Sequence, residues 1–394
     1  MRQSDLQVNE LQTPLVTAWT ALLAERLEAP DVRVEAISAE FLAPHCTRYT
    51  LTLADHAEPI AVLGCRVTPL EAEFYRSVAF RLAFVTPACW FSHVGPDKGW
   101  VVLEELPSGA APAHWALRDA DAAVMDLAYM HSIFWSLDRE WLDYDWLPLR
   151  LGTGPLPGLA RPWQQSAPEG LSLHALVNAG LLAGGFRRAG AGLATLQRLG
   201  GWPGVLEGSS LNAIADLLDD PLPMLHPLRE LPMTLLHGAP RLENWRVSPY
   251  HLRRLEHWGR AAWGPGVCDL AAYLESLAEH APGADFSRES ENWWGVEEQL
   301  VDSYLLRLSA ELGPRGNMRA IRRALPAARC LHFVLFWLPR LDIWLRPLRA
   351  RPETWRDLWA QPITDWPYLR QPLARMAARL DSAAQRCLRA YYQL

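Results

Sequence analysis

Apolar positions in the first seventy residues follow one helical pattern and then three strand patterns. In "PLVTAWTALLAERLE" (14–28) the Leu and Trp side chains recur at helical spacing, which predicts an amphipathic opening helix. "VRVEAISAEFLA" (32–43), "TRYTLTLA" (47–54) and "EPIAVLGCRV" (58–67) show strand alternation or β-branched content between turn-forming breaks. These three runs predict a small antiparallel sheet.

The pattern then becomes helical for most of the chain. "PLEAEFYRSVAFRLA" (69–83) predicts a helix, and "GWVVLEELP" (99–107) predicts a buried strand that runs into a polar turn. A Gly- and Pro-rich stretch at 152–170 predicts a surface loop. The clearest later segments of helical period are 120–137, 296–312 and 371–392. The sequence therefore predicts an α+β fold, with a strand-rich N-terminal part at 1–107 and a helical part at 108–394.

Composition narrows the class of protein. The 394 residues are 50% hydrophobic, enough for a large core, and the net charge of -6 gives no broad positive field for nucleic acid. No apolar run reaches the ~18 residues of a membrane span, and the N-terminus lacks the apolar run of a secretory signal. The six cysteines show no metal-ligand spacing. We expect a cytoplasmic protein with reduced cysteines and neither a membrane nor a nucleic-acid partner.

Two later segments carry a recognisable motif. They are "LLHGAPRLENWRV" (235–247) and "RLEHWGRAAWGPGVCDLAAYLE" (254–275). Together with "LEAEFYR" (70–76), "WVVLEELP" (100–107) and "LAYMHSIFW" (127–135), they resemble the aminoglycoside phosphotransferase and choline kinase-like family. The resemblance covers roughly residues 30 to 310. It implies a bilobal protein-kinase-like fold with a small N-lobe that contains an antiparallel sheet and a large C-lobe that is mostly helical.

The resemblance also places the family's catalytic loop at 237–244 and its metal loop at 255–270. Ala239 and Asn244 have the spacing of the family's catalytic Asp and metal-binding Asn. His257 occupies the position of the metal-binding Asp, and Asp269 follows twelve residues later at the Asp of the family's Asp-Leu-Ala.

Four parts of the phosphotransfer machinery that the resemblance implies are absent. There is no glycine before Gly64, so the first hairpin cannot form a Gly-rich phosphate loop. The one lysine, Lys98, lies beyond the strand that should carry the phosphate-binding lysine. Ala239 and His257 replace the two acids that would orient the hydroxyl and hold Mg²⁺.

The residues that remain are of two kinds. His237 and Asp269 resemble family residues that brace the catalytic loop through buried hydrogen bonds. Arg66 and Glu71 are expected to form an ion pair, with a phosphate contact for Arg66 as the alternative. Glu243 lies beside Asn244 and is expected to be solvated, or else to replace the lost acid. Glu256 is expected to point away. Adenine contacts would use the main chain at Glu104, Glu105 and Leu106.

Loss of the reactive groups beside retention of the bracing groups predicts a pseudokinase with no catalytic residue, no metal and no cofactor. We expect a ligand- or protein-binding, regulatory module. One alternative is a divergent ATP- and Mg²⁺-dependent small-molecule phosphotransferase that uses Arg66, Glu243, Asn244 and His257 in rearranged roles. Another is a nucleotide sensor that binds adenine alone.

A protein partner or small anionic ligand is expected at residues 315–351, which hold nine arginines and one acid, Asp342. The alternative for these arginines is the solvated face of a helix. The arginines include Arg319, Arg322, Arg323, Arg346, Arg349 and Arg351, interleaved with Phe333, Trp337 and Trp344.

Overall fold

A computed structural model describes eleven stretches of the chain, and all structural statements below concern them. They are residues 11–12, 15–54, 56, 58–106, 115–137, 142–150, 181–202, 204–248, 252–280, 293–345 and 370–394. The predicted loop at 152–170 and the arginines at 346, 349 and 351 lie outside these residues.

The chain divides into two compact units. The first joins Met1–Trp115 with His237–Ala261, and the second joins Ala116–Leu236 with Ala262–Leu394. Residues 237–261, which contain most of the motif positions, therefore group with the N-terminal sheet. The lobe boundaries predicted from the sequence, 1–107 and 108–394, stay predictions.

The first unit is built on one antiparallel sheet of the order β1-β2-β3-β5-β4. Its strands are β1 Val34–Ala43, β2 Cys46–Leu53, β3 Ile60–Val67, β4 Cys89–Val94 and β5 Gly99–Glu104. The α+β class with an N-terminal antiparallel sheet is confirmed. Strand β4 was not predicted from the sequence, because Ser92 and His93 interrupt its short apolar pattern.

Two helices accompany this sheet. The opening helix α1, Val16–Arg26, buries Trp19 and Leu22 in one core with Tyr49 and Trp100 of the sheet, as its apolar stripe predicts. Helix α2, Pro69–Ser77, starts where the Thr68 hydroxyl accepts a hydrogen bond from the Glu71 N–H at 3.1 Å. It ends earlier than the predicted 83, and a 3₁₀ turn follows at Ala79–Leu82.

The second unit is mainly helical. Its helices are α3 Leu117–Ile133, α4 Leu181–Arg198, α5 Gly208–Asp219, α6 Leu222–Arg229, α7 Val267–His280, α8 Trp293–Leu312, α9 Met318–His332, α10 Leu338–Trp344 and α11 Arg370–Tyr391. Helix α8 packs along α3, α10 packs against α4, and α9 contacts α6, α7 and α11. Two short strands, β6 Thr234–Leu236 and β9 Ala262–Gly264, pair antiparallel. Within the described helices, none combines the length and apolarity that a membrane crossing requires.

One cysteine expectation is wrong. Cys46 lies directly opposite Cys65 in the antiparallel pairing of β2 with β3, and the two form a disulfide. Their Cα atoms are 4.2 Å apart. A separation of 19 residues gives no sign of this pairing, because only the strand register brings the two thiols together. Cys89, Cys268, Cys330 and Cys387 are free thiols.

Candidate functional site

The candidate site is built on residues 237–258 of the first unit. A 3₁₀ turn at Leu242–Asn244 leads into two strands, β7 Trp245–Val247 and β8 Arg253–Leu255, which pair antiparallel. The Leu255 N–H donates a 2.6 Å hydrogen bond to the Val85 carbonyl. This bond ties β8 to the segment between α2 and β4.

His237 is fully buried at the start of this segment. Its Nε2 lies 2.9 Å from the Glu256 carbonyl oxygen, and its Nδ1 accepts from the Ala239 N–H at 3.3 Å. Its ring meets the Trp258 ring edge-on at 4.6 Å between centroids. With Nδ1 as acceptor, Nε2 carries the proton that it donates to Glu256. One side chain thus links the two ends of the segment through their main chains.

Gly238 occupies a position that only glycine fits. Its φ is +81°, and a Cβ there would lie 2.0 Å from the Arg260 carbonyl oxygen. The left-handed conformation and the close main chain both exclude a side chain. The glycine of the His-Gly motif therefore has a backbone reason that is independent of catalysis.

Ala239 places a methyl group, 9% exposed, where the resemblance puts the catalytic acid. Its carbonyl oxygen accepts from the Asn244 side-chain Nδ2 at 2.8 Å and from the Arg241 N–H at 2.8 Å. The Asn244 carbonyl accepts from the Glu256 N–H at 2.9 Å. The amide of Asn244 therefore closes the loop on itself through one Nδ2 hydrogen, which leaves Oδ1 and the second Nδ2 hydrogen for a ligand.

The two glutamates beside the vacated positions are both held by arginines. Glu243 pairs with Arg241, whose side chain is 8% exposed, while that of Glu243 is 49% exposed. Glu256 pairs with Arg246 at 3.0 Å between Oε2 and Nε. Both carboxylates are therefore already ion-paired, and neither is a free substitute for the acid missing at position 239.

Glu71 of α2 makes the contact that most departs from expectation. Its side chain is buried, and its Oε1 accepts a 3.0 Å hydrogen bond from the Trp258 N–H. The Phe74 and Trp258 rings stack with centroids 3.9 Å apart and planes 8° apart. Burial raises the pKa of Glu71 to about 7, the Trp258 N–H opposes this rise, and the Glu256 charge adds to it.

Arg66 does not pair with Glu71 as expected. Arg66 is exposed on β3, and no described residue forms an ion pair with it. Position 64 on the same strand face is closed to any side chain, because a Cβ on Gly64 would lie 2.6 Å from the Tyr49 ring and 2.8 Å from that of Trp100. Aromatic packing thus fills the place of a side chain at Gly64, and Glu71 is left with a main-chain partner.

Two of the three N–H groups of the expected adenine-binding strand end, those of Glu104 and Glu105, are already hydrogen-bonded within the first unit. The Glu104 N–H donates to Ala88 at 2.9 Å, and the Glu105 N–H donates to Ala61 at 3.4 Å. The two oxygens of the Glu105 carboxylate accept hydrogen bonds from Arg48 Nε at 2.8 and 2.9 Å. Leu106, half-buried, is the last described residue before a gap. Glu104, Glu105 and Leu106 are thus not drawn together with Asn244 by any described contact.

His257 stands beside Trp258 with an exposed side chain and a positive φ of 65°. Within the described ranges, no cluster of three or more His, Cys, Asp or Glu side chains is arranged to hold a metal. Mg²⁺ prefers near-octahedral oxygen coordination, including carboxylates. One amide oxygen and one imidazole do not meet that preference, so the residues at 239, 244 and 257 do not fit the metal of the resembled family.

Asp269 lies in the second unit, where it is buried with His131. Its Oδ2 is 3.5 Å from His131 Nε2, and His131 Nδ1 is 2.8 Å from the Tyr304 hydroxyl. Asp269 and His131 are fully buried, and a Cβ on Gly266 would approach His131 Nδ1 to 2.8 Å. The described contacts of Asp269 therefore lie among helices α3, α7 and α8, and its bracing role for the catalytic loop stays an interpretation.

Sequence reasoning missed three partners in this region. The Trp258 N–H replaces the expected cation opposite Glu71, and Arg48 neutralises Glu105 across the sheet. Neither pairing has a sequence signal, because each joins residues at least 57 positions apart. Arg241 did have one, since it stands two residues before Glu243 in the loop.

Comparison with known proteins gives matches among solved structures only. No protein-family model matches the chain. No curated protein matches it either. The chain is similar to an aminoglycoside phosphotransferase from Alicyclobacillus acidocaldarius, with 14% identity, 91% of this chain and 94% of that chain covered, and a TM-score of 0.47.

Two further solved structures are an amicoumacin kinase, hAmiN, and the choline kinase LicA from Streptococcus pneumoniae. The former, a complex with AMP-PNP, Ca²⁺ and Ami, has 10% identity, covers 96% of both chains and has a TM-score of 0.48. The latter has 11% identity, covers 93% of this chain and 99% of that chain, and has a TM-score of 0.41. The described elements of this chain form an α+β fold, with a five-stranded antiparallel sheet in the first unit and a mainly helical second unit.

Proposed function

We propose that this protein is a kinase-fold binding or regulatory module that does not transfer phosphate by the mechanism of the family it resembles. One observation carries the proposal. The acid position holds the Ala239 methyl group, and the side-chain amide of Asn244 in the same loop donates a hydrogen bond to the Ala239 carbonyl.

The chemical consequence is large. General-base assistance is typically worth about 10²–10⁴ in rate, and a methyl group supplies none of it. The Glu243 carboxylate is bound to Arg241, and no described carboxylate is hydrogen-bonded to Asn244.

The altered contacts of Glu71 support the same reading. In the resembled family this position offers a carboxylate to the phosphate-binding lysine, whereas here Oε1 receives a main-chain N–H. The carboxyl group thus connects α2 to the segment that contains Trp258. A framework contact has taken the place of a contact to a phosphate-binding cation.

We place the partner site on the arginine-rich face of α9. Arg319, Arg322 and Arg323 are exposed there, Arg315 is exposed in the 3₁₀ turn that precedes the helix, and Arg322 pairs with Asp302. Phe333 and Trp337 are buried, and Arg329 is paired with Glu297 inside the protein. The described part of this surface therefore presents arginine side chains, and Phe333 and Trp337 do not contribute to it. Such a cationic surface suits an anionic ligand or an acidic protein segment.

The catalytic part of the proposal is tested by ATP turnover. The purified protein with ATP and Mg²⁺ is expected to show no turnover above a protein-free blank, and Asn244→Ala is expected to leave that result unchanged. Asn212→Ala, on the exposed face of α5, is the matched control. Turnover in the kinase range of about 1–100 s⁻¹ that Asn244→Ala abolishes and Asn212→Ala preserves would contradict it.

The binding part is tested with a fluorescent polyglutamate peptide as an acidic probe. Arg319→Gln/Arg323→Gln is expected to weaken its binding and reduce the salt dependence, whereas exposed Arg118→Gln on α3 is expected to change neither. Equal affinity of the wild type, the Arg319→Gln/Arg323→Gln variant and the Arg118→Gln variant for the peptide would contradict a binding site on the α9 face.

A divergent phosphotransferase is the second candidate, and the 49% exposure of the Glu243 side chain beside Asn244 is what favours it. This candidate predicts ATP turnover that Glu243→Gln abolishes. The nucleotide-sensor alternative has no such support, because the Glu104 and Glu105 N–H groups are already bonded within the first unit.

A further inference from the structure

A small cavity of about 180 Å³ lies in the first unit, apart from residues 237–244. It is bounded by the end of α1, by Tyr75 of α2, by residues 79–89, by Glu104 at the end of β5 and by Arg254 of β8. Of the positions that the resemblance assigns to nucleotide binding or phosphotransfer, only Glu104 lines it. Its volume equals about six water molecules, below the ~300–1,000 Å³ of sites for drug-sized ligands.

Tyr75 is a buried polar residue that lines this cavity. Its side chain is 5% exposed, and its hydroxyl has no hydrogen-bond partner within the described part of the chain. Burial is the main reason that its pKa lies well above the ordinary value. Electrostatic interactions with Glu71, Cys89 and Glu256 raise the pKa further. The hydroxyl is therefore a neutral donor. A buried donor without an acceptor is destabilising, which a bound acceptor would relieve.

The charges on the cavity wall do not balance. Arg26, Arg254 and Glu104 all line it. Glu104 Oε1 already accepts the Ala88 N–H at 2.9 Å and lies 3.6 Å from Arg254 Nε. Arg26 forms no hydrogen bond or ion pair with a described residue. Two guanidinium groups thus face one committed carboxylate, which leaves a net positive wall.

Arg254 is fixed in place while keeping donor capacity. Its Nη1 donates to the Phe84 carbonyl at 3.0 Å, and its side chain is 17% exposed. Its Nε is buried without a hydrogen bond to any described residue. A preorganised, partly desolvated guanidinium is the donor type that carboxylates and phosphates favour.

Apart from Cys89 and Thr86, whose hydroxyl donates to the Ala79 and Leu82 carbonyls, the rest of the wall is apolar and includes an exposed aromatic ring. Ala79, Ala83, Pro87 and Ala88 contribute alkyl surface, and Phe80 is 69% exposed at the cavity. This combination of apolar lining with a few donors is typical of small-molecule sites.

We propose that this cavity binds a small organic anion, a carboxylate or phosphate group on a compact apolar body. Arg26 and Arg254 supply the positive charge, the Tyr75 hydroxyl donates to an oxygen of the ligand, and the alanines with Phe80 contact the apolar body. This inference shares no residue with the loop that carries the proposed function, so either can fail alone.

The test is isothermal titration of the full chain with benzoate, phenyl phosphate and inorganic phosphate. Benzoate or phenyl phosphate is expected to bind with saturation, and inorganic phosphate, which lacks the apolar body, at least about tenfold more weakly. Tyr75→Phe is expected to weaken binding about three- to tenfold, and Arg26→Gln about tenfold or more. Arg33→Gln, an exposed arginine that does not line the cavity, is the matched control.

Tyr75→Phe removes one oxygen from a site where it has no partner, so the variant is expected to fold with an unchanged or higher unfolding midpoint. Absence of saturable binding of all three probes at millimolar concentration would overturn the proposal. Equal binding in the wild type, Tyr75→Phe and Arg26→Gln would overturn it as well, because the probe would then bind elsewhere.

Discussion

Two sets of residues in the 237–258 segment differ in the kind of interaction that their roles require. His237 and Trp258 hold the segment together, whereas Ala239 and His257 stand where the resembled family has acids. His237 and Trp258 are fully buried and make their contacts through ring packing and main-chain groups. Ala239 and His257 stand at positions whose family role rests on a carboxylate charge. A fold is retained as long as burial and main-chain hydrogen bonds are kept, whereas catalysis requires particular charges. This segment keeps the first and lacks the second.

The largest expected effect comes from removing the Trp258 ring, which contacts both Phe74 and His237. Trp258→Ala should lower the free energy of unfolding by about 3–5 kcal/mol, because the fully buried ring stacks on Phe74 and meets His237. Denaturant unfolding measures it, with half-buried Trp90→Ala on β4 as a control of smaller expected loss. A loss below about 1 kcal/mol would show that Trp258 does not hold the segment.

Glu71 gives a pH-dependent test. Its pKa is about 7 in the folded protein against a reference of 4.5, so the folded state retains a proton that the unfolded chain releases. Its contribution to stability therefore falls as pH rises from about 4.5 to about 7, by up to roughly 3 kcal/mol. Glu71→Gln keeps an acceptor for the Trp258 N–H and loses this slope.

The measurement is denaturant unfolding of wild type and Glu71→Gln at pH 5 and pH 8. The variant should gain stability relative to the wild type as pH rises. Exposed Glu35→Gln on β1 is the control, with an expected change within about 0.5 kcal/mol at both pH values. A Glu71→Gln difference that does not vary with pH would contradict the buried, proton-retaining carboxyl.

A pair of glycine variants separates backbone strain from helix propensity. Gly238→Ala should cost about 2 kcal/mol or more, from its left-handed φ and the contact with the Arg260 carbonyl. Gly190→Ala, inside α4 where a Cβ meets nothing within 4 Å, should instead stabilise by up to ~1 kcal/mol. Unfolding midpoints that move in the same direction for both would argue against a backbone requirement at Gly238.

The smallest expected effect concerns Asn244. Asn244→Ala removes the hydrogen bond to the Ala239 carbonyl and should cost about 0.5–1.5 kcal/mol. Asn212→Ala, on an exposed helix face, should stay within about 0.5 kcal/mol of wild type. Indistinguishable unfolding curves for the two variants would mean that the amide does not close the loop.

Local patterns predicted much of the first unit and little of its side-chain pairing. The stripe of α1 and the alternation of β1 to β3 gave these elements nearly at their observed bounds, because each buries one face. Strand β4 escaped because its polar residues break the alternation, and the predicted helix at 69–83 ended at Ser77 because a 3₁₀ turn follows.

The candidate site shows the same limit more sharply. The motif spacing located Ala239, Asn244 and His257 along the chain without any structure. Two contacts depend on the three-dimensional structure instead. The Trp258 N–H, and not Arg66, contacts Glu71 because the fold brings their segments together, and Cys46 meets Cys65 because of the strand register. Such contacts join residues far apart in sequence, so no local period encodes them.

The most direct test of the central claim is a thermal unfolding scan with ATP in the presence of Mg²⁺, Mn²⁺ or EDTA. A ligand at about 100 times its Kd stabilises the folded state by ~2.7 kcal/mol, which is readily seen in the midpoint. The account predicts no stabilisation by ATP that depends on metal, because Ala239, Asn244 and His257 do not supply the oxygens that Mg²⁺ prefers. A rise in midpoint that requires Mg²⁺ and disappears with EDTA would contradict it.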